Sequence, residues 1–198
     1  GEPTLYTGLP KIIEHLRKHH HHKLAILTNA TTFADENLRQ MLYGLDLVVP
    51  SLDAGTPAVF NQLNRPHPSI DFEGYLQGLI QFSKEFKGEL WLETFIVKGI
   101  NDTPSELSAI REIAGKIRYT RYDFNALDRP GTETWVERPS SDQLRIYADY
   151  LGARLIGDPS AGQTSTSDST DQSQMDILSY LERRPATVTD LTSVTGLN

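Results

Sequence analysis

Five short polar runs hold the residues able to do chemistry; four close an apolar stretch, and the first, at the start of the sequence, is expected to close a strand upstream of it. They are Glu2 in "GEP", Thr28-Asn29 after "KLAIL", Ser51 and Asp53 after "DLVVP", Lys98 to Asp102 after "LWLETFIV", and Asn125 with Asp128-Arg129 after "RYDF". In parallel α/β folds, ligands bind beyond the carboxyl ends of the strands, so these positions would converge on one mouth. The set consists of hydroxyls, amides and a few charges. It holds no Ser-His-Asp constellation and no two histidines at ligand spacing. Such a set suits holding a polar cofactor better than supplying the reacting atoms, and no side chain is singled out as catalytic. Taken singly, each run is ordinary, because turns need polar residues. The series of five carries the argument.

The elements that must position these residues follow from periodicity. Leu9, Ile12, Ile13 and Leu16 have helical spacing, and Leu24 to Leu27 reads as a short buried strand. "ADENLRQML" predicts a helix, "DLVVP" a strand and "TPAVFNQL" a helix, followed by the loop "NRPHPS". Phe72, Leu76, Leu79 and Ile80 line one side of the next helix, and Leu90 to Val97 is the longest strand. Thr103 and Glu106 are spaced as a capping box, with Pro104 in the tolerant first turn. Leu107, Ile110, Ile113 and Ile117 form its apolar stripe. "RYDFNALDRPG" gives a fourth strand and its loop, and Ser140 with Gln143 opens a last helix. Helices alternating with near-continuous apolar strands predict a parallel sheet covered by helices. No Gly-rich dinucleotide fingerprint follows a strand, so the expected fold is α/β, a partial (β/α) TIM-like barrel over residues 1–156. Residues 157–173 are small, polar and aperiodic, a flexible linker. Residues 174–198 suggest two amphipathic helices, the start of a helix-turn-helix or winged-helix-like segment, with a helical tail packed on the barrel as the alternative.

Composition narrows the function. The 198 residues carry 19 Lys and Arg against 26 Asp and Glu, a net charge of −7, with no basic stripe to neutralise phosphates. With 0 cysteines there is no disulfide, no thiolate nucleophile and no Cys-ligated metal in this chain. No apolar run reaches the ~20 residues of a membrane span. A cytoplasmic protein is expected. His19 to His22 end a helix before the first strand. Consecutive histidines point around a helix, so a solvated cationic C-terminus is favoured over a metal site, although His15 and His19 are one turn apart. Trp91 and Trp135 are read as packing residues. Glu93 interrupts an apolar strand on the face of Trp91, Phe95 and Val97, where a carboxylate must be paired or must line a wet cavity.

In order, "GEP", "LTNA", "PSLDA" and "VKGIND", with helices between them, resemble the radical S-adenosylmethionine (radical SAM) superfamily over about Gly1 to Leu151. The resemblance implies a partial barrel of six strands. A three-cysteine loop after the first strand would ligate a 4Fe–4S cluster, and "GEP" would close the second strand. It implies that Glu2 accepts from the methionine amino group and that Thr28 and Asn29 touch the methionine or ribose. Ser51 and Asp53 replace an Asp-x-Lys of the glycyl-radical activating enzymes, a pattern closer to the molybdenum-cofactor and wyosine branches. Lys98 and Ile100 would lie at the adenine, Asn125 at the ribose, and Arg129 would point at the substrate. "NRPHPS" is similar to a loop of wyosine-related members, with Arg65 and His67 as substrate contacts.

The function this resemblance implies is the S-adenosylmethionine-binding body of a 5′-deoxyadenosyl-radical enzyme, an oxidoreductase or lyase in the intact protein. Its substrate would be an RNA base or a small molecule. Its electron donor would be a ferredoxin or flavodoxin. Without cluster cysteines, the chain alone is expected to be inactive. Two rivals remain open. One is a barrel hydrolase or isomerase with Glu2, Asp53, Glu93 and His67 on a divalent ion. The other is a ligand-binding regulator signalling through the helix-turn-helix tail.

Overall fold

A computed structural model describes residues 1–127, 133 and 135–156. A 3-10 turn at Pro3–Leu5 precedes helix α1 (Leu9–His19) and strand β1 (Ala25–Thr28). Helix α2 (Glu36–Met41), strand β2 (Leu47–Pro50) and helices α3 (Pro57–Leu63) and α4 (Phe72–Glu85) follow. Strand β3 (Glu89–Ile96), helix α5 (Pro104–Ala114), strand β4 (Arg121–Ala126), helix α6 (Ser141–Leu151) and strand β5 (Arg154–Leu155) complete the unit Gly1–Ile156. The expected linker 157–173, the helix-turn-helix-like segment 174–198 and Arg129 lie outside the described residues.

The sheet has the order β1-β2-β3-β4-β5 with every neighbouring pair parallel. Strand order therefore equals chain order. With crossovers of one hand, each connection steps the same way and returns over the same face. Burial along β3 shows the consequence. Leu90, Leu92, Thr94 and Ile96 are buried, while Trp91, Glu93 and Phe95 between them are only half-buried. In β1, Ile26 and Thr28 are buried, while Leu27 is 66% exposed. One face thus packs on the helices through Ile26, Val48, Leu92, Ile96, Phe124 and their neighbours. The other is the polar interior wall of a partial (β/α) barrel. The predicted near-continuous burial holds for β2, where Val48, Val49 and Pro50 are all buried, whereas β3 alternates because only one side of it meets helices.

Helix starts follow the sequence. Thr56, Asp71 and Ser140 cap α3, α4 and α6 through their side-chain oxygens, and Ser140 with Gln143 makes the full reciprocal box. The predicted box at Thr103 is only half present. Thr103 accepts from the Glu106 amide, but the Glu106 carboxylate turns away and accepts from the backbone N–H groups of Gly55 and Thr56. A buried carboxylate on α5 thereby anchors the loop that leaves β2. β1 and β3 each lie one residue from their predicted bounds, and β5 has no signal in the sequence because it is two residues long.

Glu106→Ala would leave two amides without an acceptor, and the expected cost is about 2–3 kcal/mol, with Glu106→Gln losing less. Urea unfolding of the three proteins checks it. An unchanged midpoint for the alanine variant would contradict the anchoring role.

Candidate functional site

The Glu2 carboxylate is the most connected polar group at the carboxyl edge of the sheet. As N-cap of the Pro3–Leu5 turn, its Oε1 accepts from Thr4 N (3.0 Å), and also from the Thr4 hydroxyl. The same oxygen accepts from Thr28 Oγ1 at 2.7 Å, and Oε2 accepts from Asn29 N at 2.7 Å. The buried Thr4 hydroxyl also meets that of Thr32 at 2.7 Å. The turn after β1 bends to permit this. Ala30 has φ 58°, a left-handed conformation unusual for alanine, and its N–H donates to Thr28 Oγ1 at 3.0 Å. Glu2 is thus fixed by the polar end of β1. Oε1 is fully subscribed, whereas Oε2 keeps acceptor capacity. Gly1, Glu2, Pro3, Leu27, Thr28, Asn29 and Ser51 line a cleft of about 270 Å³.

Beyond this cleft the loops after β2 and β3 are stapled together. The Asp53 Oδ1 accepts from Phe95 N at 2.9 Å, and its Oδ2 accepts from Asn64 Nδ2 at 3.2 Å. The fully buried Asn101 donates to the carbonyls of Asp53 and Phe95, each at 2.8 Å, and accepts from Val97 N at 2.8 Å. Gly99, at φ 75°, makes the turn that brings Asn101 back. Burial pushes the Asp53 carboxyl up to about 6, against the pull of Phe95 N–H and Asn64 and with added repulsion from Glu93. The Tyr75 hydroxyl donates to the Ser51 carbonyl at 2.6 Å.

The structure therefore brings Glu2, Thr28, Asn29 and Ser51 into one cleft and sets Asp53 in the adjoining staple. Asn125 lies on the interior face of β4 beside Glu93, in register with Phe95. Ile100 is half-buried in the β3–α5 loop. Lys98 turns outward to Glu137 (3.1 Å), and Arg65 pairs with Glu133 (3.0 Å) over the Trp135 ring. His67 lines a different cleft, of about 460 Å³, with Pro57, Pro66, Phe72 and Glu73. Glu2, Asp53, Glu93 and His67 are not gathered, and among the described residues no group of three or more His, Asp or Glu could hold a metal ion. That removes the geometric basis of the divalent-ion reading. No described helix is long and apolar enough to cross a membrane.

Thr4, Asn64 and Tyr75 complete the site without a signal in the sequence analysis, and Asn101 does so from within the run Lys98 to Asp102, where it has no role of its own. Asn101 stands within "KGIND", where attention falls on Lys98 and Ile100. Its signal is its place two residues after the turn glycine, Gly99. Asn64 and Tyr75 act through Asp53 and Ser51, and Thr4 through Thr32 as well as the adjacent Glu2; the distant partners are ones no local spacing shows.

Comparison with known proteins bears on the family and the fold. A family model described as the Radical SAM superfamily matches residues 1–113. A protein named GTPase Obg from Brachyspira hyodysenteriae is 34% identical over 95% of this chain and 28% of its own length. The UPF0026 protein of Helicobacter pylori strain J99 is 28% identical over 93% of the chain and 60% of its own length. The chain thus spans only part of the relatives it matches. The crystal structure of a domain of pyruvate-formate lyase-activating enzyme from Bacteroides vulgatus shares the fold, with TM-score 0.63 at 15% identity over 79% of this chain and 95% of that one.

Because Asp53 is raised from an ordinary value of 3.8 to about 6 on folding, its contribution to stability is fully present below the ordinary value and is lost as pH rises through about 6. The gain in melting temperature of Asp53→Asn over the parent should therefore grow between pH 4 and 7. Carboxyl NMR of Asp53 should show a midpoint near 6, and an ordinary midpoint would contradict the assignment.

Proposed function

The chain belongs to the radical SAM superfamily, and on that premise we propose that it is the S-adenosylmethionine-binding body of a radical enzyme. The observation that carries this reading is the Glu2 carboxylate, clamped by Thr4, Thr28 and Asn29 with spare acceptor capacity on Oε2 at a cleft on the carboxyl edge of a parallel sheet. A carboxylate held in place by other donors is a preorganised acceptor for an ammonium group, because little ordering remains to be done on binding.

In this reading Glu2 receives the amino group of the cofactor, and Thr28 and Asn29 hold Glu2 while bordering the methionine portion. The Ser51 hydroxyl donates to the cofactor carboxylate. Asp53 and Asn101 fix the loops that approach the nucleoside, Ile100 borders the adenine while the Lys98 side chain turns away to Glu137, and Asn125 meets the ribose. Arg129 is the proposed substrate contact, whereas His67 in its separate cleft and Arg65 paired with Glu133 are not brought to this mouth. With S-adenosylmethionine held by these residues and a reduced iron–sulfur cluster beside it, radical hydrogen abstraction from the substrate is the chemistry that would be supplied. The donor set of this chain fits the cofactor but not the cluster, since the sequence has 0 cysteines. Thiolates for a 4Fe–4S cluster would have to come from outside these residues. The enzyme would then be cytoplasmic, with a ferredoxin or flavodoxin as reductant and an RNA base or small molecule as substrate.

Calorimetric titration of the chain with S-adenosylmethionine tests the reading. Glu2→Gln should weaken binding at least tenfold, about 1.4 kcal/mol. Glu36→Gln, at an exposed position, should change nothing. A desamino analogue should bind parent and Glu2→Gln alike. No binding to the parent, or equal binding to Glu2→Gln, would overturn it.

A further inference from the structure

The interior wall of the barrel has one feature that cofactor binding does not use. Glu93 sits near its centre. A parallel bridge sets it beside Ser51 of the cofactor cleft, and on the other side it is in register with Asp123 of β4. The three side chains share a face, with neighbouring strands about 4.8 Å apart. Trp91 and Phe95, two positions away in each direction along β3, flank Glu93 on that face.

The charges on this wall are unevenly satisfied. Asp123 is 3% exposed and takes both arginines of the face, Arg121 at 2.7 Å and Arg154 at 3.2 Å. Arg121 also lies 4.0 Å from the Trp91 ring centroid, so it is held twice. Glu93 takes part in none of the ion pairs among the described residues. Its polar neighbour is the neutral Asn125 amide. Burial pushes its carboxyl up, and the charge of Asp123 adds to this. Asp53, on which the charge of Glu93 acts, is likewise held only by an amide and a backbone N–H. Its partner Asn64 keeps a buried Oδ1 with no hydrogen-bond donor. These groups accept, and the surrounding protein supplies too few donors. A half-buried carboxylate without a cation is costly, and a ligand that brings one removes that cost.

We propose that Glu93 is the specificity-determining residue of the substrate site and receives a cationic nitrogen, an amine or guanidinium, of the molecule bound beside the cofactor cleft. The assignment rests on the reading of that cleft as the cofactor site. An anionic group would be repelled by Glu93, and an uncharged apolar one would bury it unpaired. The aromatic flanks Trp91 and Phe95 suit the apolar stem or planar body of such a ligand.

The test uses the full chain, labelled with ¹³C at glutamate carboxyls, and two probes of equal shape, methylguanidinium and N-methylurea. Methylguanidinium should lower the Glu93 titration midpoint and shift the Trp91 indole signal, and N-methylurea should do neither. Glu93→Gln should weaken methylguanidinium binding at least tenfold, whereas Asp142→Asn, at an exposed position, should not. The probe comparison on the parent protein stands even if Glu93→Gln fails to fold. An equal response to both probes, or undiminished binding by a folded Glu93→Gln, overturns the proposal. Glu93→Gln should keep S-adenosylmethionine affinity within twofold, so failure of this assignment and failure of the cofactor reading are read separately.

Discussion

Everything about this molecule follows from a parallel sheet whose strands lie in chain order. Crossovers of one hand and one direction put the crossover helices of the described residues on the same side, so among these residues the opposite face of the sheet has no helix to cover it. The covered side can be apolar, and it is: Ile26, Val48, Leu92, Ile96 and Phe124 fill it with the aromatic residues of α4. The opposite side must satisfy polar groups from its own resources or from a ligand. Asp123 is satisfied internally by two arginines, while Glu2 keeps an acceptor on Oε2 and Glu93 has only an amide beside it.

The site is rigid where it has to be, through groups that touch no cofactor in this account. Asn101 joins the loop after β2 to the loop after β3, and Glu106 anchors the start of α3 from α5. Asp53 closes the same staple at the expense of a raised carboxyl pKa. Buried polar groups of this kind fix one geometry because each misplacement leaves a donor or acceptor unmet. The strained Ala30 belongs with them, since its conformation accompanies the turn that aims Asn29 N at Glu2.

What was legible in the sequence was whatever is local. Apolar spacing located the helices, Ser140 and Gln143 announced their capping box, and polar residues after "KLAIL" and "DLVVP" marked the strand ends. The alternation about Glu93 placed it with Trp91 and Phe95. What escaped depends on contacts far apart in the chain. Glu106 has the spacing of a local box, but the amides of Gly55 and Thr56 compete for its carboxylate, and they lie about fifty residues away. Glu2 stands among the candidate residues from the sequence, but its clamp comes from Thr28 and Asn29, 26 and 27 residues on, which no local pattern shows. His67 follows a proline-rich loop into a separate cleft, which no spacing argument could distinguish from the mouth of the barrel.

The central claim is that the cleft around Glu2 is where S-adenosylmethionine binds. Amide NMR mapping of the isotope-labelled chain titrated with that ligand tests it most directly. The account predicts shifts at Asn29, Ser51 and Ile100, saturating together, with the amides of His67, Asp71 and Glu73 unmoved. Shifts confined to those last three, or no saturable shift at the strand ends, would contradict it.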